Sequence, residues 1–130
     1  MKRANKLAEV EREIMHGIWQ FSKPVTVREI HEHLYPEGKK AYTTVQTMMN
    51  ILVKKGFLQK EKIGMVNFYT PTLSREQFAQ RETRSLVARI FHGSFGALAN
   101  YLVSSGELSQ EELNELRALI EAKEKRKKER

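Results

Sequence analysis

Apolar residues recur at helical spacing along most of this chain, with one change of period near the middle. Leu7, Val10, Ile14, Met15 and Ile18 share one face of a helix predicted over residues 7–20, and Trp19 ends that stripe as a core anchor. The run Phe21-Ser22-Lys23-Pro24 breaks the helix, leaving Val25 and Thr26 free to supply a short strand. Thr26 with Glu29 forms a capping box: the hydroxyl accepts from an orphan amide and the carboxylate reaches back, so a second helix starts there. Thr43 with Gln46 predicts a third. Its inward face is Val45, Met48, Met49, Leu52 and Val53, and Gly56 stands where a left-handed cap is expected, giving a helix from about Thr44 to Lys55. Alternation then replaces helical spacing. Phe57 to Lys62 and Val66 to Thr70 flank Gly64, which marks a hairpin. Beyond Pro71, Ser74 with Gln77 opens a helix that points Phe78, Leu86, Val87, Ile90 and Phe91 inward and stops at Gly93. A shorter helix carries Phe95, Leu98, Tyr101 and Leu102. After a break at Ser104-Ser105-Gly106, Ser109 with Glu112 caps a last helix bearing Leu113, Leu116, Leu119 and Ile120.

This order predicts a mainly α fold with a small β wing. Residues 1–73 form a winged helix-turn-helix, and residues 74–130 form a helical region with a basic tail. Three amphipathic helices are too few to enclose a core alone. Their apolar faces can meet a second copy of the same segment in a twofold homodimer, or fold back on the N-terminal half in a monomer. For the dimer, the expected contact residues are Phe78, Leu86, Ile90, Phe91, Phe95, Leu98, Leu102, Leu113, Leu116 and Ile120.

The outward face of the third helix carries Thr43, Thr44, Gln46, Thr47 and Asn50. These hydroxyls and amides both donate and accept, as base edges in a DNA major groove require. Lys39, Lys40, Tyr42, Lys54 and Lys55 are placed to meet flanking phosphates, with Arg28 near the start of the second helix. Lys60 and Lys62 lie two apart, so they project from one side of the wing and can follow a phosphate backbone. Plainer readings stand beside these: a polar helix without a partner, and a solvated hairpin whose lysines guard an open edge.

Charge sharpens the picture. The chain holds 23 Lys and Arg against 16 acidic residues, a net charge of +7, which favours a polyanionic partner. Residues 1–73 hold 12 of the basic and 7 of the acidic residues, whereas residues 74–120 hold 5 and 6. The positive field therefore belongs to the winged half and to the tail EAKEKRKKER, which reads as a continuing helix or a frayed end. There are no cysteines, hence neither disulfides nor thiolate metal sites. Glu9, Glu11 and Glu13 interrupt any apolar signal core, and no run approaches the roughly 20 apolar residues of a membrane span, so a soluble, cytoplasmic protein is expected.

Catalytic chemistry finds little footing. His31 and His33 are two apart and point in different directions on a helix, so they do not close on one metal. Every acidic residue is Glu, with no paired carboxylates in a likely cleft; the serines sit at helix ends, without a nucleophile elbow; and the glycines build no phosphate loop. The expectation is no enzyme, no metal and no cofactor. A winged helix that docks a protein instead of DNA remains the alternative from another class.

Five segments together resemble the BlaI/MecI/CopY group of bacterial winged-helix repressors, the penicillinase repressor family. They are EREIMHGIWQ, TVREIHEHL, AYTTVQTMMNILVKKGFL, YTPTLSREQF and IFHGSFGALANYLVSSGELSQEELNELRALI, and they span nearly all of residues 7–120. The resemblance implies a dimer joined through its C-terminal helices, bound to a dyad-symmetric operator and blocking transcription. It also implies a membrane-bound sensor-protease system whose signal leads to cleavage near Ala99, Asn100, Tyr101 and Leu102. Two departures matter. The cysteine-rich metal-sensing tail of CopY-type members is absent, and Ile51 follows Asn50 where many relatives carry Arg, which alters the expected operator.

Overall fold

The computed structural model describes residues 7–129; the basic residues Lys2, Arg3, Lys6 and Arg130 lie outside them. The elements are α1 (Glu9–Trp19), α2 (Val27–Leu34), α3 (Tyr42–Lys54), β1 (Leu58–Ile63), β2 (Val66–Pro71), α4 (Arg75–Ile90), α5 (Phe95–Ser104) and α6 (Gln110–Lys128). They fall into two compact units, Met1–Gln80 and Arg81–Arg130.

The first unit is a winged helix. Ile14, Met15 and Ile18 of α1, Ile30 of α2 and Val45, Met49 and Leu52 of α3 meet in one core, closed by Phe57, Leu58 and Tyr69 from the wing. The hairpin is antiparallel, with Lys60 opposite Tyr69, Lys62 opposite Asn67 and Ile63 opposite Val66. Gly64 has φ +67° and is the first of two turn residues, a conformation that suits the strand twist and costs glycine little. Val25 adds the short third strand as a single bridge: its N–H donates to the Tyr69 carbonyl at 3.0 Å, and the Tyr69 N–H donates back at 2.7 Å.

Capping follows the sequence at three helices. Thr26 and Glu29 close α2, with both reciprocal bonds formed at 2.9 and 3.1 Å. Ser74 and Gln77 do the same for α4, and Ser109 and Glu112 for α6. At α3 the expected box between Thr43 and Gln46 does not form. Ala41 takes the extended capping conformation and its carbonyl accepts from Thr44 and Val45, so the helix starts before Thr43 rather than after it.

The division between units falls inside α4, later than the expected break after residue 73. Phe78 explains why. Expected among the dimerisation residues, it is only 6 % exposed, its ring lying 5.2 Å from that of Trp19 and 6.0 Å from that of Phe57. Trp19 also donates its indole N–H to the Leu73 carbonyl at 2.9 Å. The first turns of α4 are thus part of the winged-helix core. In the second unit, His92 and Gly93 adopt left-handed backbone after α4, Ser94 caps α5, and Phe91 stacks 6.1 Å from Tyr101. The tail is helical, since α6 continues through Lys128.

One further residue serves the fold. Lys55, expected on a phosphate, instead donates to Glu11 at 2.7 Å, and Glu11 is buried. The same Glu11 oxygen accepts from the Ala8 N–H, which completes the start of α1. Helix α1 is thereby tied at its first turn to the end of α3.

Replacing Phe78 with Ala is expected to destabilise the protein by about 3–5 kcal/mol in urea unfolding and to leave its sedimentation behaviour unchanged. Lys55→Ala strands a buried carboxylate and should cost about 3 kcal/mol, whereas Glu11→Leu combined with Lys55→Met should recover most of that loss.

Candidate nucleic-acid interface

Helix α3 is held by burial on one side and by its ends. Val45, Met49 and Leu52 are fully buried, and the helix stops in a left-handed turn at Gly56, φ +88°. There the Phe57 N–H donates to the Leu52 carbonyl at 2.9 Å and the Gly56 N–H to the Val53 carbonyl at 3.0 Å, the bonding of a Schellman cap. With one face fixed inward, Thr43, Gln46 and Thr47 are exposed on the other, and Thr44 is half-buried. The first turn carries no acidic residue, and the last carries the exposed Lys54. Such a face offers uncharged donors and acceptors.

Asn50 occupies a different position from its neighbours. It is half-buried, and its Oδ1 accepts from the Tyr69 hydroxyl and from Lys60 Nζ, each at 3.0 Å. Burial raises the Tyr69 phenol above its usual range, the neighbouring Tyr42 adds to the effect and the bond to Asn50 opposes it, so Tyr69 stays a donor at neutral pH. Expected to read a base, Asn50 here bolts α3 to the wing through both strands, because Lys60 lies on β1 and Tyr69 on β2. Sequence alone places Asn50 on the outward side. Its meeting with Tyr69 depends on the hairpin register, which only the fold supplies.

The loop before α3 is organised by His31. Its Nε2–H donates to the Lys40 carbonyl at 2.8 Å, and its ring lies edge-on to Tyr42 at 6.0 Å. Lys40 Nζ sits 5.5 Å over the Tyr35 ring, while Lys39 is exposed beside it. Tyr35 donates in turn to Glu13, and burial with that neighbouring carboxylate drives its phenol well above the usual range. His33 reaches Gln20 instead, so the paired histidines of α2 serve two separate contacts. Of the remaining expected phosphate ligands, Arg28 is exposed and pairs loosely with Glu32 at 3.3 Å, and Lys62 is exposed on the wing. An exposed pair of this kind contributes little and exchanges readily for another anion.

Between these elements lies a groove of about 510 Å³ lined by Thr26, Val27 and Arg28 at the start of α2, Tyr42 and Gln46 on α3, and Met65 to Tyr69 on the wing. Asn67 and Met65 were not singled out by sequence reasoning. Counting alternate positions from Gly64 places Asn67 on the Lys62 side of the hairpin, a signal that was available.

In the second unit the expected dimerisation residues divide by exposure. Leu86, Phe91, Leu98 and Leu113 are half-buried, whereas Ile90, Phe95, Leu102, Leu116 and Ile120 are exposed. Asn100, Tyr101 and Leu102, the expected cleavage region, lie exposed on α5. Among the described residues, no three His, Cys, Asp or Glu side chains are grouped to hold a metal ion, and no helix is long and apolar enough to cross a membrane.

Comparison with known proteins agrees with this architecture. The chain is 31 % identical over 129 residues to the penicillinase repressor of Bacillus licheniformis, covering 99 % of this chain and 100 % of that one. It is 25 % identical to the methicillin resistance regulatory protein MecI of Staphylococcus aureus (strain N315), covering 91 % of this chain and 95 % of that one. The solution structure of the DNA-binding domain of the repressor BlaI matches 59 % of this chain and 93 % of its own with a TM-score of 0.50 and 32 % identity. The sequence pattern described as penicillinase repressor matches residues 7–122, and the chain belongs to that family.

Proposed function

We propose that this protein is a DNA-binding transcriptional repressor that grips a dyad-symmetric operator as a homodimer. The observation that carries the reading is the exposed, uncharged face of α3, flanked by cations and bolted to the wing by Asn50. Thr43, Gln46 and Thr47 read base edges in the major groove, with Thr44 at its margin. Arg28, Lys39, Lys54 and Lys62 meet phosphates, as do Lys40 in the loop before α3 and Tyr42 at the first position of that helix. Asn50 and Lys60 act mainly by holding the wing in register with α3, and Lys55 by holding α1.

The apolar faces of α5 and α6 supply the dimer contact. Phe95, Leu102, Leu116, Leu119 and Ile120 are exposed in a single copy, which is costly for side chains of that size unless a second copy covers them. Two half-sites held one or more helical turns apart are then bound together. Induction follows from loss of that contact. A cut near Asn100, Tyr101 or Leu102, made in response to a membrane sensor-protease system, would divide α5 and separate the half-site readers. The protein works in the cytoplasm without a cofactor or a catalytic step of its own.

The division of labour on DNA is testable with a duplex selected from a random pool by the native chain. Gln46→Ala is expected to cost roughly 1–3 kcal/mol and to relax selectivity at one operator position. Lys62→Ala should weaken all duplexes alike and lower the salt slope by about 1. Identical profiles for the two variants across single-base operator changes would defeat this assignment; weak, sequence-blind retention by the native chain would favour a protein-docking module.

The dimer is tested by Leu116→Glu with Ile120→Glu in the full chain. Sedimentation should report a monomer with an intact helical spectrum, and affinity for a two-half-site operator should fall to that for a single half-site. A double variant that remained dimeric would place the contact elsewhere.

A further inference from the structure

The segment that leads from α2 into α3, residues 36–41, carries Lys39 and Lys40, and little within it fixes its course. Gly38 turns it with φ +78°, its N–H donating to the Tyr35 carbonyl at 3.0 Å. Helix α3 then starts at Ala41, which has no side chain to cap it. The entry to the helix is held from α2 instead. His31 Nε2 lies 2.8 Å from the Lys40 carbonyl, one residue before the cap, and because a carbonyl only accepts, that nitrogen carries the proton. The same ring meets Tyr42 edge-on at 6.0 Å, one residue after the cap. Resting on the operator-binding reading above, we propose that His31 is a positioning residue for DNA binding: it meets no phosphate itself, and it sets Lys40 and Tyr42 where they meet the backbone of one operator strand.

The neighbours of His31 separate its role from direct contact. From α2, the groove between α3 and the wing is lined by Val27 and Arg28 but not by His31, whereas Tyr42 forms part of its wall beside Gln46. Arg28 and His31 are three apart on one helix face, so α2 offers a cation to the groove and, one turn later, a tie to the start of α3. Lys40 is held at both ends. Its carbonyl takes the imidazole N–H, and its ammonium lies 5.5 Å over the ring of Tyr35, which is itself buried and donates to Glu13 on α1.

The gain is one of preorganisation. A lysine on a free loop surrenders backbone and rotamer freedom when it meets a phosphate, and that loss is subtracted from affinity. With the Lys40 carbonyl and the Tyr42 ring fixed by one imidazole, the loss is taken during folding, before DNA arrives. The effect falls on phosphate contacts, which set position and salt dependence, and spares the base reading by Gln46.

The test uses the full chain and the duplex selected by it. His31→Ala and His31→Asn, whose side chains fall short of the Lys40 carbonyl, are expected to lose roughly tenfold in affinity through lost preorganisation. Their salt slope should fall by about 1, with the helical spectrum and single-base selectivity unchanged. His31→Gln places an amide N–H at similar reach and should restore both affinity and slope. In a protein already carrying Lys40→Ala and Tyr42→Ala, His31→Ala should cost nothing more, because the groups it positions are gone. Native affinity and slope for His31→Ala, or a His31→Gln protein as weak as His31→Ala, would overturn the proposal and leave the reading of α3 intact. So would an undiminished loss in the doubly substituted background, since His31 would then act on DNA directly. If the native chain holds all duplexes alike and Gln46→Ala binds as native, the operator-binding reading fails and the proposal with it.

Discussion

The surface built on α3 depends on one carboxamide oxygen. Asn50 Oδ1 receives hydrogen bonds from a buried phenol on β2 and an ammonium on β1, so a single atom couples a helix to both strands of the hairpin. A two-stranded sheet has little stability of its own and is expected to sway. Here Leu58 and Tyr69 anchor its base in the core, the Val25 bridge extends it by one pair, and Asn50 sets its angle to the helix. A partly buried polar node of this kind, with the Tyr69 phenol at its inner end, favours the arrangement that satisfies it.

Positive charge is accordingly divided between two duties. Lys55 and Lys60, although part of the basic half, bond to Glu11 and Asn50; Lys60 is nevertheless exposed, as are Lys39, Lys54 and Lys62. Net charge sets long-range attraction to a polyanion regardless of these contacts, because it falls off with distance and salt and not with hydrogen-bond geometry. Lys55 and Lys60 add to that long-range field whatever their short-range partners are.

Much of this was legible along the chain. Helical spacing and the Thr26, Ser74 and Ser109 boxes located α2, α4 and α6, and the alternation around Gly64 located the wing, because these signals are local and need no partner. What escaped was one local choice and several non-local contacts. Thr43 and Gln46 satisfied the spacing of a cap, but Ala41 had already begun the helix, since its carbonyl can take two amides without a side chain. Phe78 lay on an amphipathic stripe like its neighbours Leu86 and Ile90, and only the position of Trp19 and Phe57 assigned it to the first core. The bonds that Lys55 makes to Glu11, and Asn50 to Tyr69, join residues distant in sequence, so nothing along the chain announced them.

The first unit contains its own core, and Val45, Met49 and Leu52 of α3 are buried in it. For a repressor of the proposed kind, this separates recognition from avidity. A change confined to Arg81–Arg130 need not alter the shape that meets DNA; it alters how often a second reader is present once the first has bound. Losing that tether lowers the effective concentration of the second reader from the millimolar range of a linked pair to that of free protein in the cell. Such a switch works by arithmetic on occupancy, and a damaged copy would still meet its half-site correctly while failing to stay.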